Sequence, residues 1–464
     1  MPPSLRRELT LTSSAALVIS NMIGTGIFTT TGFLAGDLGA PGLVVGIWLA
    51  GAVIAMAGCL AYAELGVNLP RSGGEYVYLR EAWGPAWGFL SGWVSFVAGF
   101  SAPIAAGALA ITAYLAYFLP WLSAGAAGGS FGWLHLDAGH LFGVAVIALF
   151  AVVNVLGLRP AAKLQTLLTA MKLGILGVFL ILAFAIGQGD WGHFAQAAAR
   201  TSSQPLGAQF AVSLIFIMFA YSGWNAANYV AEEMQSPERT LPRVLVLGTG
   251  LVAVFYLALN VAFIYALPLE SLKGVLAVGG AAATALFGDR AGTLFSAFMA
   301  LGLFSTVSAM CLVGPRVYYA MAQDGCFPSG AARLHPRRHT PVRAIGYQTA
   351  ASAAMVLTGT FDALLYYIGF TLILCSLLAV AGLMRLRTRP GWRRLPAVDW
   401  LYPLAPLAFI LTSLWMLAWT AVARPLESAL GLATFACGAL LYQFRLRSEL
   451  RSNPVKPHEP SRHK

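Results

Sequence analysis

The sequence predicts an all-α polytopic membrane protein with twelve transmembrane helices, because of its composition and the spacing of its apolar and basic residues. Of its 464 residues, 58% are hydrophobic and only 10% are charged, and the mean hydropathy is +0.73. A soluble globular domain carries about 25% charged residues. A water-soluble fold cannot hide this much apolar surface, so the composition excludes soluble proteins and assigns the chain to a lipid bilayer.

Apolar stretches of about 20 residues, the length of one membrane crossing, define the predicted helices. The third and eighth stretches are longer than a straight crossing requires, so we expect both helices to be strongly tilted. The predicted helices lie near residues 10–36, 41–69, 83–120, 138–158, 160–187, 207–234, 241–267, 290–322, 341–359, 361–386, 399–421 and 425–444.

The basic residues indicate how the chain crosses the membrane. Almost all of the 29 Lys and Arg residues fall on one side of the predicted membrane. The opposite side holds only Arg200, Lys273, Arg290 and Arg424. By the positive-inside rule both termini are cytoplasmic, and the even number of helices agrees. This distribution accounts for the net charge of +11 without nucleic acid as a partner.

The sequence contains no evident catalytic or cofactor site. No His/Asp/Ser or metal-binding constellation lies inside the predicted helices. The cysteines fall in apolar stretches or near a predicted cytoplasmic end, and their spacing matches neither a disulfide framework nor a metal site. We therefore predict a protein that is not an enzyme and binds no cofactor and no metal ion. The cysteines are Cys59, Cys311, Cys326, Cys375 and Cys437.

Two glycine-containing interruptions are the most informative feature of the chain. Gly24-Thr25-Gly26 interrupts the first apolar stretch and residues 221–224 interrupt the sixth, at matching places in the two halves. Glycine lets a helix unwind at low steric cost. Irregular backbone at membrane depth persists only inside protein or beside a watery cavity. Paired broken helices predict the binding site of a transporter; the alternative is that the glycines only allow close helix packing.

The two predicted breaks expose different chemistry. In the first helix, unpaired N–H groups begin the outer half-helix at the positive end of its dipole, which suits a carboxylate. In the sixth helix, a break near Phe219 to Gly223 frees carbonyl groups at the end of a half-helix, which suits an ammonium group or a cation. A carboxylate site beside an ammonium site describes an α-amino acid.

Six segments around these features resemble one family. They read NMIGTGIFTTTGFLAGDLGAPG, LPRSGGEYVYLREAWGP, LQTLLTAMKL, FAYSGWNAANYVAEEMQSPERTLPR, STVSAMCLVGPRVYYAMAQDG and HTPVRAI. Over about residues 10–390 the chain is similar to the amino acid–polyamine–organocation (APC) superfamily. Within that superfamily it most resembles the L-type amino acid transporter branch.

The resemblance implies the leucine-transporter fold, in which two five-helix repeats of inverted topology are followed by two further helices. Helices 1 and 6, the first of each repeat, are the broken ones. The implied divisions are a cytoplasmic tail (1–9), the first repeat with helices 1–5 (10–187), an outer loop (188–206), the second repeat with helices 6–10 (207–386), a loop with helices 11–12 (387–444) and a second cytoplasmic tail (445–464).

The resemblance also implies roles for residues at the two breaks. The carbonyl groups of Phe219, Ala220 and Ser222 match positions that bind the substrate amine. Phe219 also matches an aromatic gate over the substrate, with ordinary core packing as the alternative. Asn225 matches a polar position lining the site, and it could instead or in addition cap the second half of helix 6. The residues that match the cradle of the substrate carboxylate are Ile23, Gly24, Thr25, Gly26 and Ile27.

Lys172 is the basic residue predicted to lie near the middle of the membrane. It is about twelve residues into helix 5, which is roughly 18 Å along the axis at 1.5 Å per residue. An intramembrane charge is a functional hypothesis by default. At the matching position in the family a lysine reaches toward the break in helix 1, where sodium-coupled relatives bind their ion. The resemblance implies a sodium-independent carrier; a purely structural lysine is the alternative, and proton coupling remains open.

The side-chain pocket is predicted from helices 3, 6, 8 and 10. No acidic residue is evident near the middle of these helices, so neutral amino acids are favoured over cationic ones. The predicted function is secondary active transport of neutral amino acids by alternating access, through sodium-independent exchange or proton-coupled uptake. A cationic amino acid or polyamine antiporter and a non-transporting amino acid sensor are the alternatives. The candidate pocket residues are Ser101, Ala105, Trp224, Ser305, Ser308, Tyr366 and Tyr367.

The predicted partners are an amino acid substrate and the lipid bilayer. Eukaryotic L-type carriers bond to a glycoprotein subunit through a cysteine in the loop after helix 3. Residues 121–137 contain no cysteine, so we expect no disulfide-linked subunit. Compact loops and short tails suit a multi-pass protein of the bacterial inner membrane, the plasma membrane of such a cell. The sequence does not indicate the oligomeric state.

Three acidic residues near the predicted cytoplasmic ends of helices have open interpretations. Glu232 and Glu233 end helix 6 near Arg239 and Arg243, where they form either a gate ion pair or a solvated charged loop. Glu64, toward the inner end of helix 2, is expected to pair with a neighbouring helix whose identity the sequence does not indicate.

Overall fold

The computed structural model of the chain describes residues 5–116, 118–122, 130–131, 134–275, 277–358 and 361–446. Within these ranges the fold is helical, apart from a ribbon in which Ser130–Phe131 pairs antiparallel with Leu134–His135. The side chains of Tyr366 and Tyr367, and residues 447–464 of the predicted C-terminal tail, lie outside the described residues.

The α-helices are labelled α1 to α18 in chain order. Their bounds are α1 Leu11–Met22, α2 Thr25–Leu38, α3 Pro41–Asn68, α4 Glu75–Trp83, α5 Pro85–Val94, α6 Ala102–Ala116, α7 Ala138–Leu156, α8 Leu158–Ala185, α9 Leu206–Ala220, α10 Pro237–Ala266, α11 Leu269–Leu272, α12 Val278–Phe287, α13 Asp289–Gln323, α14 Val342–Thr358, α15 Phe361–Leu386, α16 Pro396–Leu401, α17 Leu404–Ala423 and α18 Pro425–Leu441.

Within the described part of the chain, ten helical stretches are long and apolar enough to cross a membrane. This result confirms an all-helical, polytopic membrane protein. Two predicted crossings are shorter, because α9 has 15 residues and α14 has 17. At 1.5 Å per residue, a helix the length of α9 covers only about 22 Å of a hydrocarbon core that is about 30 Å thick. The shortness of α9 follows from the break at its C-terminal end.

The third predicted helix consists of three pieces. Helix α5 passes into a π-helical turn over Ser95–Ser101, and α6 continues from there. Such turns are frequent at functional sites. The short helices α4 and α12, with nine and ten residues, were not predicted because neither is long enough to produce an apolar run of membrane-spanning length.

Both predicted helix breaks are present. Between α1 and α2, Gly24 has an extended conformation with φ −126° and ψ −150°. After α9 a turn leads to a 3₁₀ helix over Ala226–Glu233. Gly223 in that turn has a φ of +92°, a left-handed conformation that other residues rarely adopt. The second break therefore requires a glycine for its backbone conformation, whereas the extended conformation of Gly24 is open to other residues.

Long helices enclose the two breaks. Helix α10 packs along α3 and α1, while α13 packs against α1, α6, α8 and α12, and α2 lies on α9. Three buried aromatic side chains pack together behind the second break. The ring centroids of Trp48 and Tyr256 are 5.1 Å apart, and those of Tyr221 and Tyr256 are 5.0 Å apart. Helices α3, α9 and α10 are thus joined by one aromatic cluster.

Glu64 is buried and fully paired. It accepts hydrogen bonds from Arg387 Nε to Oε1 at 2.6 Å and from Arg387 Nη2 to Oε2 at 2.7 Å. Trp392 Nε1 donates to Oε1 at 2.9 Å and the Leu395 N–H donates to Oε2 at 3.1 Å. The partner that the sequence left unidentified is therefore Arg387, which follows the last residue of α15.

Glu233 is paired in a way that the sequence did not predict. It is 1% exposed, and Arg316 of α13 donates to it through Nε at 2.7 Å and Nη2 at 3.1 Å. The solvated-loop alternative is wrong for this residue, and the ion pair that it does form is with Arg316 instead of the nearby Arg239 or Arg243. The 3₁₀ helix that ends at Glu233 packs against α13, and this contact buries the acid beside Arg316.

We expect Glu64→Gln to lower the midpoint of thermal unfolding in detergent, because buried Arg387 then loses the carboxylate that accepts from its Nε and Nη2. It retains only the ion pair of its Nη1 with Asp399, whose side chain is 49% exposed. Breaking a buried pair costs about 3–5 kcal/mol. Glu81→Gln is the matched control. Its pair with Arg389 has side chains 42% and 48% exposed, and exposed pairs contribute about 0–1 kcal/mol. Equal midpoints for the two variants would show that the Glu64 pair does not carry stability.

Candidate functional site

A pocket lies between the two helix breaks. Much of its wall is apolar and comes from α6, α13, α15 and α17, and Glu75 is the charged residue among the described residues that line it. The breaks themselves contribute Gly24, Thr25, Gly26, Phe219, Ala220, Ser222 and Gly223, followed by Trp224 and Asn225.

The two breaks are in direct contact. A Cβ atom on Gly26 would lie 2.7 Å from Cα and Cβ of Ala220, and one on Gly223 would lie 2.6 Å from Cβ of Asn21. Real Cβ atoms do not approach their neighbours so closely, so the missing side chains permit this contact. Close packing and pocket lining, which the sequence presented as alternatives for these glycines, are combined in the structure.

Tyr256 joins the two breaks. Its hydroxyl oxygen lies 2.6 Å from the Met22 carbonyl oxygen at the end of α1 and 2.8 Å from the Ala220 carbonyl oxygen at the end of α9. The last carbonyl groups of a helix lack intrahelical partners, and in an apolar environment such groups must be satisfied by other protein groups. One fully buried hydroxyl on α10, with a single proton to donate, thus lies within hydrogen-bond distance of carbonyl groups from both interrupted helices.

Lys172 reaches the first break from α8. Its Nζ donates to the Ile23 carbonyl at 2.6 Å and to Thr306 Oγ1 at 2.9 Å, and it lies 3.4 Å from both Ser20 O and Ser20 Oγ. These partners are neutral oxygens from α1, its C-terminal end and α13. In the described part of the chain no carboxylate forms an ion pair with Lys172. The ammonium group therefore occupies a cage of oxygen acceptors, the environment that also suits a metal cation.

The N-terminus of α2 faces the pocket. Gly24, Thr25 and Gly26 line the pocket, and no side chain caps this end of the helix. The first N–H groups of a helix have no intrahelical acceptor, and the helix dipole places positive partial charge there. This end of α2 can therefore bind a carboxylate that enters the pocket.

The carbonyl groups at the second break are partly engaged within the protein. The Phe219 carbonyl accepts the Ser222 N–H at 2.9 Å, and the Ala220 carbonyl is within reach of Tyr256. A carbonyl oxygen has two lone pairs, so both groups retain capacity for another donor. Because Phe219 is only partly buried and lines the pocket, its side chain lies where a substrate would contact it.

Two of the residues named at the first break do not line the pocket. The side chains of Ile23 and Ile27 are 0% exposed and belong to the hydrophobic core, so a role in binding requires their backbone groups. Among the candidate side-chain pocket residues, Trp224 lines the pocket. Ser305 instead forms a hydrogen bond with Ser20 beside Lys172.

Asn225 and Glu75 form a second polar group at the pocket. Glu75 is the first residue of α4, and its Oε1 accepts hydrogen bonds from Tyr62 OH at 2.5 Å, Ser376 Oγ at 2.9 Å and Asn225 Nδ2 at 3.1 Å. Asn225 precedes the 3₁₀ helix, but its side chain makes no capping hydrogen bond. The capping alternative is therefore wrong, and the amide is directed to the acid.

Sequence reasoning did not identify Tyr256, Thr306 or Glu75. Tyr256 and Thr306 lie within apolar helices, where a single polar side chain gives no indication of its partner. Glu75 follows the segment LPRSGG on a short helix outside the predicted spans. Its membership of the pocket depends on how α4 packs against α15. Among the described residues no group of three or more His, Cys, Asp or Glu side chains is placed to hold a metal ion.

Known amino acid transporters match this chain over almost its whole length. A family model described as "Amino acid permease" matches residues 9–435. The chain is 30% identical over 445 residues to the serine/threonine exchanger SteT of Bacillus subtilis, a match that covers 94% of this chain and 96% of the relative. It is 30% identical over 450 residues to the human large neutral amino acids transporter small subunit 2, covering 95% of this chain and 80% of the relative. For the human Asc-type amino acid transporter 1 the identity is 28% over 455 residues, covering 95% and 82%.

We expect Gly26→Ala to weaken substrate binding at least tenfold, or about 1.4 kcal/mol, because the new methyl group would push Ala220 and the second break away. Binding is measured with the purified protein in detergent. Gly46→Ala on α3 is the control, since no atom lies within 4 Å of the added Cβ position. If Gly26→Ala binds substrate as tightly as Gly46→Ala, the contact between the breaks does not shape the binding site.

Proposed function

The chain belongs to the amino acid permease family, in the L-type-like branch of the APC superfamily, and we propose that it is a secondary active transporter of neutral amino acids. The observation that carries this proposal is the pocket between two interlocked helix breaks. One part of the pocket wall is an uncapped helix N-terminus at Gly24 to Gly26, and the adjoining part includes the chain from Phe219 to Gly223. A zwitterionic amino acid requires these two kinds of backbone group.

In the proposed binding mode the substrate carboxylate lies on the N–H groups that begin α2. Residues 23–27 provide this cradle, with Ile23 and Ile27 acting through the backbone. The substrate ammonium donates to the remaining lone pairs of the Phe219, Ala220 and Ser222 carbonyls. Because Asn225 is held by Glu75 at 3.1 Å, its amide is fixed at the edge of the pocket beside the substrate.

We propose that the chain crosses the membrane twelve times, with inverted repeats at 10–187 and 207–386. The ten long helical stretches support this topology, as do two shorter helices. The first of these, α9, is extended by the 3₁₀ helix Ala226–Glu233, so that together they approach a full crossing. The second, α14, has 17 residues, the lower end of the range of about 17–25 residues that crosses a bilayer, and it crosses upright with local thinning of the bilayer. Equivalent breaks at the start of each half agree with the repeat.

The walls of the pocket favour a neutral side chain. Around the breaks they are formed largely by apolar residues such as Phe100, Leu303, Ile373 and Phe409. SteT is named as a serine/threonine exchanger, and the human relative is named as a transporter of large neutral amino acids. By analogy with SteT we propose exchange of neutral amino acids by alternating access as the transport mode.

We propose that transport is independent of sodium. Lys172 Nζ contacts the Ile23 carbonyl, Ser20 and Thr306, and this cage of oxygens would otherwise attract a cation. With the ammonium in place, a sodium ion would have to displace a charge of the same sign. The amine thus links α1, α8 and α13 in the way that a bound ion would.

We propose a multi-pass protein of the bacterial inner membrane with both termini in the cytoplasm and no disulfide-linked subunit. The distribution of basic residues supports the orientation. The absence of cysteine from residues 121–137 supports a carrier that acts alone. Of the cysteines in the described residues, Cys437 on α18 is exposed and the others are buried, which leaves none suited to a partner at the loop after α6.

Transport by the purified protein in proteoliposomes tests the function. We expect uptake of radiolabelled neutral amino acids, including serine, threonine and leucine, to be accelerated several-fold when the same amino acids are present inside. Replacing external sodium with choline should leave the rate unchanged. Protein-free liposomes provide the background. Failure to move any amino acid, with or without internal substrate, would contradict the proposal and favour a sensor.

Replacing Lys172 tests its role as an internal cation. We expect Lys172→Met to reduce exchange by more than tenfold, because the Ile23 carbonyl and Thr306 lose their shared donor and α1 is released from α8 and α13. Lys163→Met is the matched control, since Lys163 lies on the first turns of the same helix and is exposed. Equal exchange rates for the two variants in proteoliposomes would show that Lys172 is dispensable.

A further inference from the structure

Three glutamates in the described part of the chain are almost completely buried, and one of them differs from the other two. Glu64 and Glu233 are 0% and 1% exposed, and each receives two hydrogen bonds from an arginine. Glu75 is 3% exposed, yet within the described residues no lysine or arginine forms an ion pair with it. Its Oε1 accepts hydrogen bonds from a phenol, a hydroxyl and an amide.

The groups around Glu75 come from four elements, and each is uncharged in its ordinary state near neutral pH. Helix α3 contributes Tyr62, α4 contributes Tyr78, the 3₁₀ helix contributes Tyr229, and α15 contributes Cys375 beside Ser376. The acid therefore faces polar donors but no compensating positive charge. Glu75 also lines the pocket itself, unlike Glu64 and Glu233.

A lone buried carboxylate is costly, and it commonly escapes that cost by binding a proton. The helix α4 lies outside the spanning segments. Burial raises the pKa of the Glu75 carboxyl above its ordinary value, and the donors from Tyr62, Ser376 and Asn225 lower it only in part. A carboxyl with a raised pKa keeps its proton to higher pH while buried, and it loses the proton when water enters the pocket.

We propose that Glu75 is a proton-binding residue of the transport pocket, which holds a proton while the pocket is closed and exchanges it with water when the pocket opens. The proton comes from bulk water on one side of the membrane and returns to bulk water on the other, and no other group changes its covalent state. This inference rests on the proposed transport function. It adds proton-coupled net uptake through Glu75 as a second transport mode beside exchange, with Asn225 as the hydrogen-bonded link between this residue and the substrate.

The Glu75 carboxyl could bind either a proton or the cationic side chain of a substrate, and the geometry favours the proton. The Oε1 atom already accepts three hydrogen bonds, and the side chain is almost fully enclosed. A proton fits on such a group without further space. An ammonium or guanidinium group would need several hydrogen-bond acceptors of its own. Among the described residues of the pocket wall, Glu75 is the one acidic side chain that could accept from it.

The experiment measures amino acid and proton movement together in proteoliposomes that contain the full chain and an internal pH-sensitive dye. Leucine, serine and arginine are the probes. Net uptake into vesicles without internal substrate is followed from pH 5 to pH 8, alongside exchange of external for internal leucine. The variants are Glu75→Gln, which stays neutral, and Glu75→Asp, which still titrates. Glu81→Gln is the matched control, because it neutralises an exposed acid on the same helix.

For the wild type we expect net leucine uptake to acidify the vesicle interior and to fall as external pH rises. In Glu75→Gln, leucine transport should no longer acidify the vesicle interior or depend on pH, and the rate of leucine exchange reports any separate damage to the pocket. Glu75→Asp should retain both with a shifted pH midpoint, and Glu81→Gln should match the wild type. The glutamine variant thus separates loss of a titrating group from loss of a structural hydrogen bond, since its amide oxygen can still accept from Tyr62.

Four results would overturn the inference. Leucine transport by the wild type without proton movement would reject proton coupling while leaving the proposed function intact. A Glu75→Gln variant that still moves protons would reject Glu75 as the site. Loss of arginine uptake alone in that variant would assign the acid to a cationic substrate. If Glu75→Gln does not fold, infrared spectra of the wild type and Glu75→Asp are compared instead. The proposal requires a protonated-carboxyl band that titrates with pH and shifts between the two proteins. Absence of that band would overturn the proposal. A wild type that moves no amino acid at all would instead contradict the proposed function.

Discussion

The structure depends on satisfying backbone groups where two helices are interrupted inside an apolar environment. No water is available there to replace intrahelical hydrogen bonds, so other protein groups must do so. Tyr256 reaches the last carbonyls of both α1 and α9, and Lys172 with Thr306 binds the carbonyl of Ile23. The surrounding helices α8, α10 and α13 are therefore linked to the breaks by polar contacts as well as by packing.

The same constraint leaves a limited set of backbone groups available to a ligand. The N-terminus of α2 has no side-chain cap, and the carbonyls near Phe219 have spare lone pairs. Because Gly26 and Gly223 bring the two segments into contact, these donors and acceptors face one pocket. In the proposed binding mode, affinity for a zwitterion and stability of the broken helices thus arise from the same local geometry. A movement of either break together with the helices packed against it would change access to the pocket.

Buried charge in this protein follows two patterns. Glu64 and Glu233 are matched by arginines and tie loop segments to α3 and α13, which is a structural use of charge. Lys172 and Glu75 are held by neutral oxygen and nitrogen partners and lie beside the breaks or the pocket. A buried ionisable group without a partner of opposite charge costs free energy in its charged form, so the presence of two such groups near the pocket is consistent with a functional role.

The sequence by itself determined the membrane class, the approximate helices, both breaks and the region of the site, because hydropathy and glycine placement are local signals. Only the tertiary structure decided which side chains meet. It paired Glu64 with Arg387 and Glu233 with Arg316, directed Asn225 to Glu75 instead of a helix cap, and turned Ile23 and Ile27 into the core. These contacts join residues far apart in the chain, and their geometry depends on how helices pack, which no short pattern encodes.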